Sequence, residues 1–537
     1  MFSRWGSLPM ISMVSTSLAP ALARRPSRHV LPPDNERDHT ALPGAFRRAV
    51  HPATWATVAV VVLFSAVTSW LAIRAHRNFG TWGFDMGIYD QALWLVARGH
   101  SFITVRGLPV WGHHVNLVLY LLAPVSWLGG GPSVLVAIQS VSLGVGALPV
   151  TWLTRDRFRS PWAGLFGAVV YLLYPPVGWL TWINFHPEAL SVSALIFAWW
   201  LASRRRWVWF AVAVGLALCT REEVGLQVAI MGAMMLGRWV FGRRAIAGRG
   251  RGALRADGVA GACAMVAGAA WFLVCSKLVI PHYLGGGDAF YIRHFYGAYG
   301  STMGEVVTHL VTHPGTVAHL AAQTDRVRFA ADLLGPLGGL PILGLPFLVM
   351  AGPQSLATLS GSEGVLRDVR FQYTALMIPG LVIGAIEGAA LLVRRRRSLG
   401  KLLVVWLAIC SLGGALLRGP LPFSPQSDSW VGPTSRVSAM QEAVDSVPSG
   451  AGVAATENII PHLTHRRYAY DFPNPFLPMV YGVDGAAGAN PGTVTWLVVD
   501  RHGLSPKYTA VLNGLVRPGG RFMVVSERDG VVVARRR

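Results

Sequence analysis

Charge is scarce in this chain, and acidic charge is the scarcest. Of 537 residues, 47 are Lys or Arg and 26 are Asp or Glu, and charged residues make up 14% of the chain against 52% hydrophobic. A chain so poor in charge is not a solvated, extended polymer, and apolar runs long enough to cross about 30 Å of hydrocarbon recur along it. Cysteine is also sparse. Cys219, Cys263, Cys275 and Cys410 all lie inside apolar runs, where they behave as small hydrophobes and exclude a disulfide framework. Nucleophile elbows, phosphate-binding glycine loops and dinucleotide fingerprints are missing, which excludes the common soluble-enzyme chemistries. The net charge of +21 invites a nucleic-acid reading. The basic residues, however, fall in short clusters between apolar runs and form no groove with interleaved aromatics, so no nucleic-acid partner is expected.

What is present is the pattern of a polytopic α-helical membrane protein with a small C-terminal extracytoplasmic α/β domain. Reading the apolar runs against the arginine clusters, with Arg-rich segments kept cytoplasmic, gives about eleven spans. Residues 1–50 form a basic, disordered cytoplasmic tail, and 51–423 form the membrane domain. Its first external loop covers about 74–116 and a long external loop covers about 281–328. A proline-broken pair of shorter spans is expected around Pro336, Pro341, Pro346 and Pro353. The apolar run 117–128 is too short for a standard crossing and reads as re-entrant or interfacial. From 424 to 537 the composition becomes that of a soluble domain: 435–447 reads as a helix, 452–455 and 494–499 as buried strands, and 522–525 with 531–533 as a terminal strand pair. The chain is therefore placed in the plasma membrane, with its N-terminus cytoplasmic and its C-terminal domain outside.

Because carboxylates are few, those at the hydrocarbon boundary carry the most information. Asp85 and Asp90, beside Gln91, directly follow the first apolar run, where an unpartnered carboxylate is costly. The same topology brings His113, His114, His186, Glu188, Glu222 and Glu223 to the external boundary. Local structure offers plainer roles for these residues. Asp85 suits the N-cap of an interfacial helix, His186-Pro187-Glu188 suits a helix start, and Thr220 to Glu223 fits a capping box. The histidines and carboxylates also keep a divalent metal ion open as a cofactor, although their spacing matches no zinc motif.

The stretches Phe84-Asp85-Met86-Gly87-Ile88-Tyr89-Asp90-Gln91 with Trp94, Asn184 to Glu188, Glu222-Glu223, Arg370-Phe371-Gln372-Tyr373 and Pro461 to Arg467 resemble the bacterial and archaeal membrane proteins called domain of unknown function 2079. Gln372 stands where histidine is expected, and Arg221 where lysine is common. That family is similar to the glycosyltransferase C superfamily, whose members transfer sugars from polyprenyl-phosphate donors on the outer side of the membrane. The resemblance implies Asp85 as catalytic base or acceptor-orienting group, with Asp90 holding the local geometry. It implies Gln91, His114, His186, Glu188, Glu222, Glu223, Arg293, Arg370 and Tyr373 as substrate-binding residues, with Arg293, His294 and Arg370 facing the leaving phosphate. The expected partners are a polyprenyl-phosphate-linked sugar, membrane lipids, and an envelope glycan, lipid or protein acceptor. Two other functions compete: a transporter or flippase of envelope lipids, and a non-catalytic membrane scaffold or sensor. A transporter would show broken helices in related halves, whereas the carboxylates here cluster at span ends on one side.

Overall fold

The structure, a computed structural model, describes residues 51–182, 184–245, 251–285, 290–421, 424–425, 432, 434–477, 479–480, 483–484 and 490–537. The expected tail over 1–50 lies outside the described residues. Among those described, six helices are long and apolar enough to cross a membrane: Pro52–Arg77, Pro132–Phe158, Val224–Phe241, Arg255–Tyr283, Gln372–Arg395 and Leu399–Arg418. Pro161–Leu172 and Pro175–Trp182 together make a further apolar pair, bent by 54°. The bend falls at Pro175 and Pro176, which cannot supply the backbone donors a continuous helix needs. Shorter apolar helices are Val118–Trp127, Pro187–Ser203 and Trp207–Leu218. The first of these is the run 117–128, and at ten residues it keeps the short length expected of it.

The proline-rich segment departs from expectation. In place of two shorter spans it forms two 3-10 turns, Gly335–Leu337 and Leu340–Ile342, followed by one helix, Leu345–Ser360. Gly338 and Gly339 separate the turns at φ 65° and 71°, a left-handed conformation that stops helix propagation. Elsewhere glycine brings helices together. A Cβ on Gly232 would lie 2.5 Å from the Gly261 carbonyl oxygen, so Val224–Phe241 and Arg255–Tyr283 pack with their backbones nearly touching.

Ion pairs sort the helix ends into two sets. Arg157 Nε lies 2.8 Å from Glu387 Oε1, Arg204 Nε lies 3.1 Å from Asp156 Oδ2, and Arg205 Nε lies 2.9 Å from Asp257 Oδ1. These contacts gather the arginine-rich ends near 155–159, 204–206 and 387–395 at one end of the bundle. The loops holding Asp85, His186 and Arg221 meet at other helix ends, as described below.

The C-terminal domain is α/β. Its five-stranded sheet runs Ala469–Asp471, Val453–Ala455, Trp496–Asp500, Val531–Arg536, Phe522–Arg528 in spatial order. The first three strands are parallel and the last two pair antiparallel, with helices Ser435–Asp445 and Pro506–Val516 packed on the sheet. The expected helix and terminal strand pair are present, while Ala469–Asp471 and Pro506–Val516 were not anticipated. The domain is seated on the first loop through buried polar contacts. Thr464 donates its hydroxyl to Asp90, which is fully buried, and His465 Nε2 lies 3.1 Å from Asp90 Oδ2. Gln91 donates to the Thr104 hydroxyl at 2.7 Å, and that hydroxyl donates to the Ala469 carbonyl at 2.6 Å. Removing Asp90 strands the Thr464 hydroxyl, which is 1% exposed, at a cost of about 1–3 kcal/mol. The variant Asp90→Ala is therefore expected to speed amide exchange across 460–471 while leaving the membrane helices protected; unchanged exchange in that segment would show that Asp90 does not seat the domain.

Candidate functional site

Asp85 lies inside a single π-turn, Gly83–Gly87, that runs directly into the helix Ile88–Val96. It is within the turn and not at a cap position, which corrects the N-cap reading. Its carboxylate is held from the neighbouring loop. Asn184 Nδ2 points at Asp85 Oδ2 from 3.4 Å, and His186 Nε2 lies 3.4 Å from Asp85 Oδ1. Asn184 also accepts the Trp82 amide at 3.0 Å, tying the two loops together. Gln139, fully buried on the helix Pro132–Val145, fixes this second loop. Its Nε2 donates to the Leu180 and Asn184 carbonyls, and its Oε1 accepts the His186 amide at 2.7 Å.

His186 begins the helix Pro187–Ser203 with Pro187 at its first position and Glu188 in its first turn, as the sequence suggested. The Glu188 side chain, however, is directed to Arg221 at 2.6 Å. The same guanidinium reaches Glu223 Oε2 at 2.7 Å and His114 Nε2 at 3.0 Å. His114 Nδ1 in turn lies 2.6 Å from Glu222 Oε1, whose second oxygen accepts the Val115 amide at 3.1 Å. His114, Glu188 and Glu222 are at most 5% exposed. The capping-box reading of Thr220 to Glu223 is corrected as well: the Thr220 hydroxyl donates backwards to the Ala217 carbonyl, and the helix starts only at Val224.

An aromatic bridge joins the Asp85–His186 pair to the Arg221 network. The Tyr89 ring centroid lies 6.2 Å from that of His186 and 6.0 Å from that of His113, and His113 stands 4.5 Å from His114. One connected site thus draws on three loops. It contains Asp85, His114, His186, Glu188, Glu222 and Glu223 from the expected set. Asp90 and Gln91 are adjacent in the chain but sealed against the C-terminal domain. Arg370 is ion-paired to Asp368 at 2.7 Å, and Tyr373 stands 6.5 Å from Phe295 by ring centroids. Arg293 is exposed on the short helix Phe290–Tyr296. Their segment still approaches the site, since Phe371 meets Trp82 at 6.3 Å. In the sequence Arg221 stands out only as a departure from lysine and Tyr89 only as part of a matching stretch, while Gln139 and Arg106 carry no signal of their own. Arg106 is 5% exposed and lies over the Phe84 ring at 5.2 Å.

The electrostatics follow from burial and neighbours. Burial pushes the His186 imidazole down, but the Asp85 carboxylate outweighs it, so His186 titrates above the usual 6.5. Burial and the adjacent His114 hold His113 well below that value. Burial would raise Glu222, yet the His114 contact holds it low, whereas burial keeps Glu223 above the usual carboxylate range despite Arg221. A proton shared unequally between adjacent carboxyls is the expected result of their mutual repulsion. His114, Glu222 and Glu223 bring one ligand atom each to within 4.8 Å of one another, a set that suits a hard cation. Arg221 already contacts His114 and Glu223, so a metal ion would have to displace its guanidinium.

These loops sit on a membrane-domain framework with known relatives. The family described as a predicted membrane protein, DUF2079, matches residues 75–533. The chain belongs to the DUF2079 family. No curated protein matches it in sequence. Among solved structures, the DUF2079 chain is similar to ArnT from Cupriavidus metallidurans bound to undecaprenyl phosphate, with a TM-score of 0.51 and 14% identity over 90% of this chain and 98% of that one. ArnT from the same organism in the apo state matches with a TM-score of 0.49 and 14% identity, covering 90% of this chain and 97% of that one. This DUF2079 protein is thus a membrane protein with an ArnT-like fold.

Two outcomes test the site. Replacing Arg221 with Met leaves buried carboxylates without their counter-charge, and loss of one partner from such a network costs about 3–5 kcal/mol. Thermal unfolding in detergent should shift clearly downward, and a melt equal to wild type would show that the network adds nothing to stability. In Asp85→Asn the term that raises His186 is removed while burial remains. Histidine-labelled NMR should then show its titration moving from above 6.5 to below it. In wild type, any stability linked to this pair is fully present below the unfolded-state value and is lost as pH rises through the folded one.

Proposed function

We propose that this protein is a membrane glycosyltransferase that moves a sugar from a polyprenyl-phosphate donor to an envelope acceptor on the outer face of the membrane. The observation that carries the reading is the Asp85–His186 pair, a carboxylate only 20% exposed at the end of the first span, set on an ArnT-like fold. A lipid-linked donor needs this placement, because its tail stays in hydrocarbon while its anomeric carbon reaches the boundary. In the step itself, the acceptor hydroxyl oxygen bonds to the anomeric carbon, and the bond from that carbon to the phosphate oxygen breaks with its electron pair leaving on phosphate. Asp85 takes the hydroxyl proton as the new bond forms, with Asn184 and His186 fixing its two oxygens.

The leaving phosphate needs positive donors. Arg293, His294 and Arg370 remain candidates on the external side, with Tyr373 lining the approach, and Arg106 adds a buried cation beside Phe84, while Gln91, fully buried, serves the site only by holding Thr104 and Val105 in place. Glu188, Glu222, Glu223 and His114 act through Arg221 to keep the loops in register, and His114, Glu222 and Glu223 would take a divalent ion if Arg221 turned away. Asp90 serves the geometry by holding the C-terminal domain in place. The full path of about eleven spans, with the N-terminus cytoplasmic and residues 424–537 outside, belongs to this reading. The arginine-rich ends near 155–159, 204–206 and 387–395 support it, because clustered arginines mark the cytoplasmic side.

Membranes carrying the wild-type protein should release sugar from radiolabelled polyprenyl-phosphate donors, and Asp85→Asn at matched expression should lose at least about 10²-fold of that rate. Equal release by wild type and variant across several donors would overturn the transferase reading in favour of lipid transport.

A further inference from the structure

The C-terminal domain does more than rest on the membrane helices: it turns one edge of its sheet towards Asp85. Val453–Ala455 and Ala469–Asp471 are adjacent parallel strands, with Ala455 paired to Asp471, so both chains leave the sheet at the same edge. In parallel sheets this carboxyl edge is where ligands bind, because successive loops open a crevice there. Here that edge faces the π-turn. Gly83 donates its amide to the Glu457 carbonyl at 2.7 Å. A Cβ on Gly83 would lie 3.2 Å from that oxygen and 3.5 Å from the Asp471 carboxyl carbon, and would collide with Ile460 Cγ2. Glycine is required for this approach. It brings Glu457 and Asp471, from the soluble domain, alongside Asp85, from the membrane domain.

The groups on this seam are not spent on structure. Asp471 Oδ1 is buried without a hydrogen-bond partner. The Glu457 side chain is exposed where the two domains meet. Across from them His186, 2% exposed, holds its Nε2 3.4 Å from Asp85 Oδ1. Trp82, the residue before Gly83, is 39% exposed and offers an aromatic face beside the opening. We propose that Glu457 and Asp471 form an acceptor-binding wall for a hydroxyl-bearing carbohydrate, completing the Asp85 site from the soluble domain.

Carbohydrate fits this wall better than a charged acceptor. Partial desolvation by the surrounding seam, reinforced by Asp85, raises the Glu457 carboxyl even though its side chain keeps contact with solvent, and burial with Glu457 beside it raises Asp471 well above the usual carboxylate range. A carboxyl accepts through its oxygens and donates as well when protonated, which matches neighbouring sugar hydroxyls, and an exposed indole matches a sugar ring face. The inference rests on the transferase reading for the word acceptor, but its test reads binding and not turnover.

The experiment uses the full-length protein in lipid nanodiscs and measures binding of methyl glucoside, methyl mannoside and methyl galactoside by saturation-transfer NMR. At least one glycoside should bind the wild-type protein. Glu457→Ala and Asp471→Ala should weaken it by about tenfold, while Glu457→Gln and Asp471→Asn, which keep a donor and an acceptor, should stay within about threefold. Should Asp471→Ala fail to fold, the exposed Glu457 pair carries the comparison alone. No glycoside binding to wild type, or wild-type binding by Glu457→Ala, overturns the proposal. Binding of glucosamine but of none of the methyl glycosides overturns it in favour of a cationic acceptor. Glycoside binding that depends on Glu457, with no donor turnover in the Asp85 assay, removes the transferase reading and leaves the carbohydrate wall standing.

Discussion

A single guanidinium organises the outer loops of this protein. Arg221 touches Glu188, Glu223 and His114, and through His114 it fixes Glu222. Each of these groups is too costly to bury alone near hydrocarbon, so the loops carrying them can close only together. The planar guanidinium spreads its contacts over a wider fork than the compact lysine ammonium common at this position, so Arg221 spans carboxylates from two loops with separate nitrogens. Asp85 benefits indirectly: Gln139 and Asn184 orient the loop that presents His186, and the Arg221 network anchors the helix which that loop begins.

Much of this architecture is legible in the sequence, for reasons specific to each part. The apolar runs mark the membrane class and the six long apolar helices, since hydrocarbon thickness leaves few alternatives. Asp85 stands out because it follows such a run directly, and His186-Pro187-Glu188 announces a helix start. Contacts across sequence are where the reading stops. Thr220 to Glu223 reads as a capping box because capping is a local pattern, whereas the pull of Glu188 on Arg221 comes from 33 residues away. The prolines around 336–353 suggest broken spans, but the two left-handed glycines between them, which stop the chain twice, carry no such message from spacing alone.

Asp90 shows the limit most clearly. Beside Asp85 in sequence, it reads as part of the same constellation, yet the structure buries it against Thr464 and His465, more than 370 residues further on. Glu457 and Asp471 were silent for the same reason. Nothing in 453–471 reads as acidic or catalytic until the sheet edge is placed against Gly83. Packing between domains, and not local pattern, decides which carboxylates face the reaction.

The seam between Gly83 and Glu457 also sets an order of assembly. Residues 453–471 follow the last long apolar helix, Leu399–Arg418, in the chain. During synthesis the membrane helices and the Asp85 loop therefore emerge well before the sheet that covers them. Until that sheet has folded, the Gly83 amide lacks its Glu457 acceptor and the π-turn is uncovered on that side. A partly made chain therefore lacks Glu457 and Asp471 beside Gly83, and the seam exists only in the finished protein.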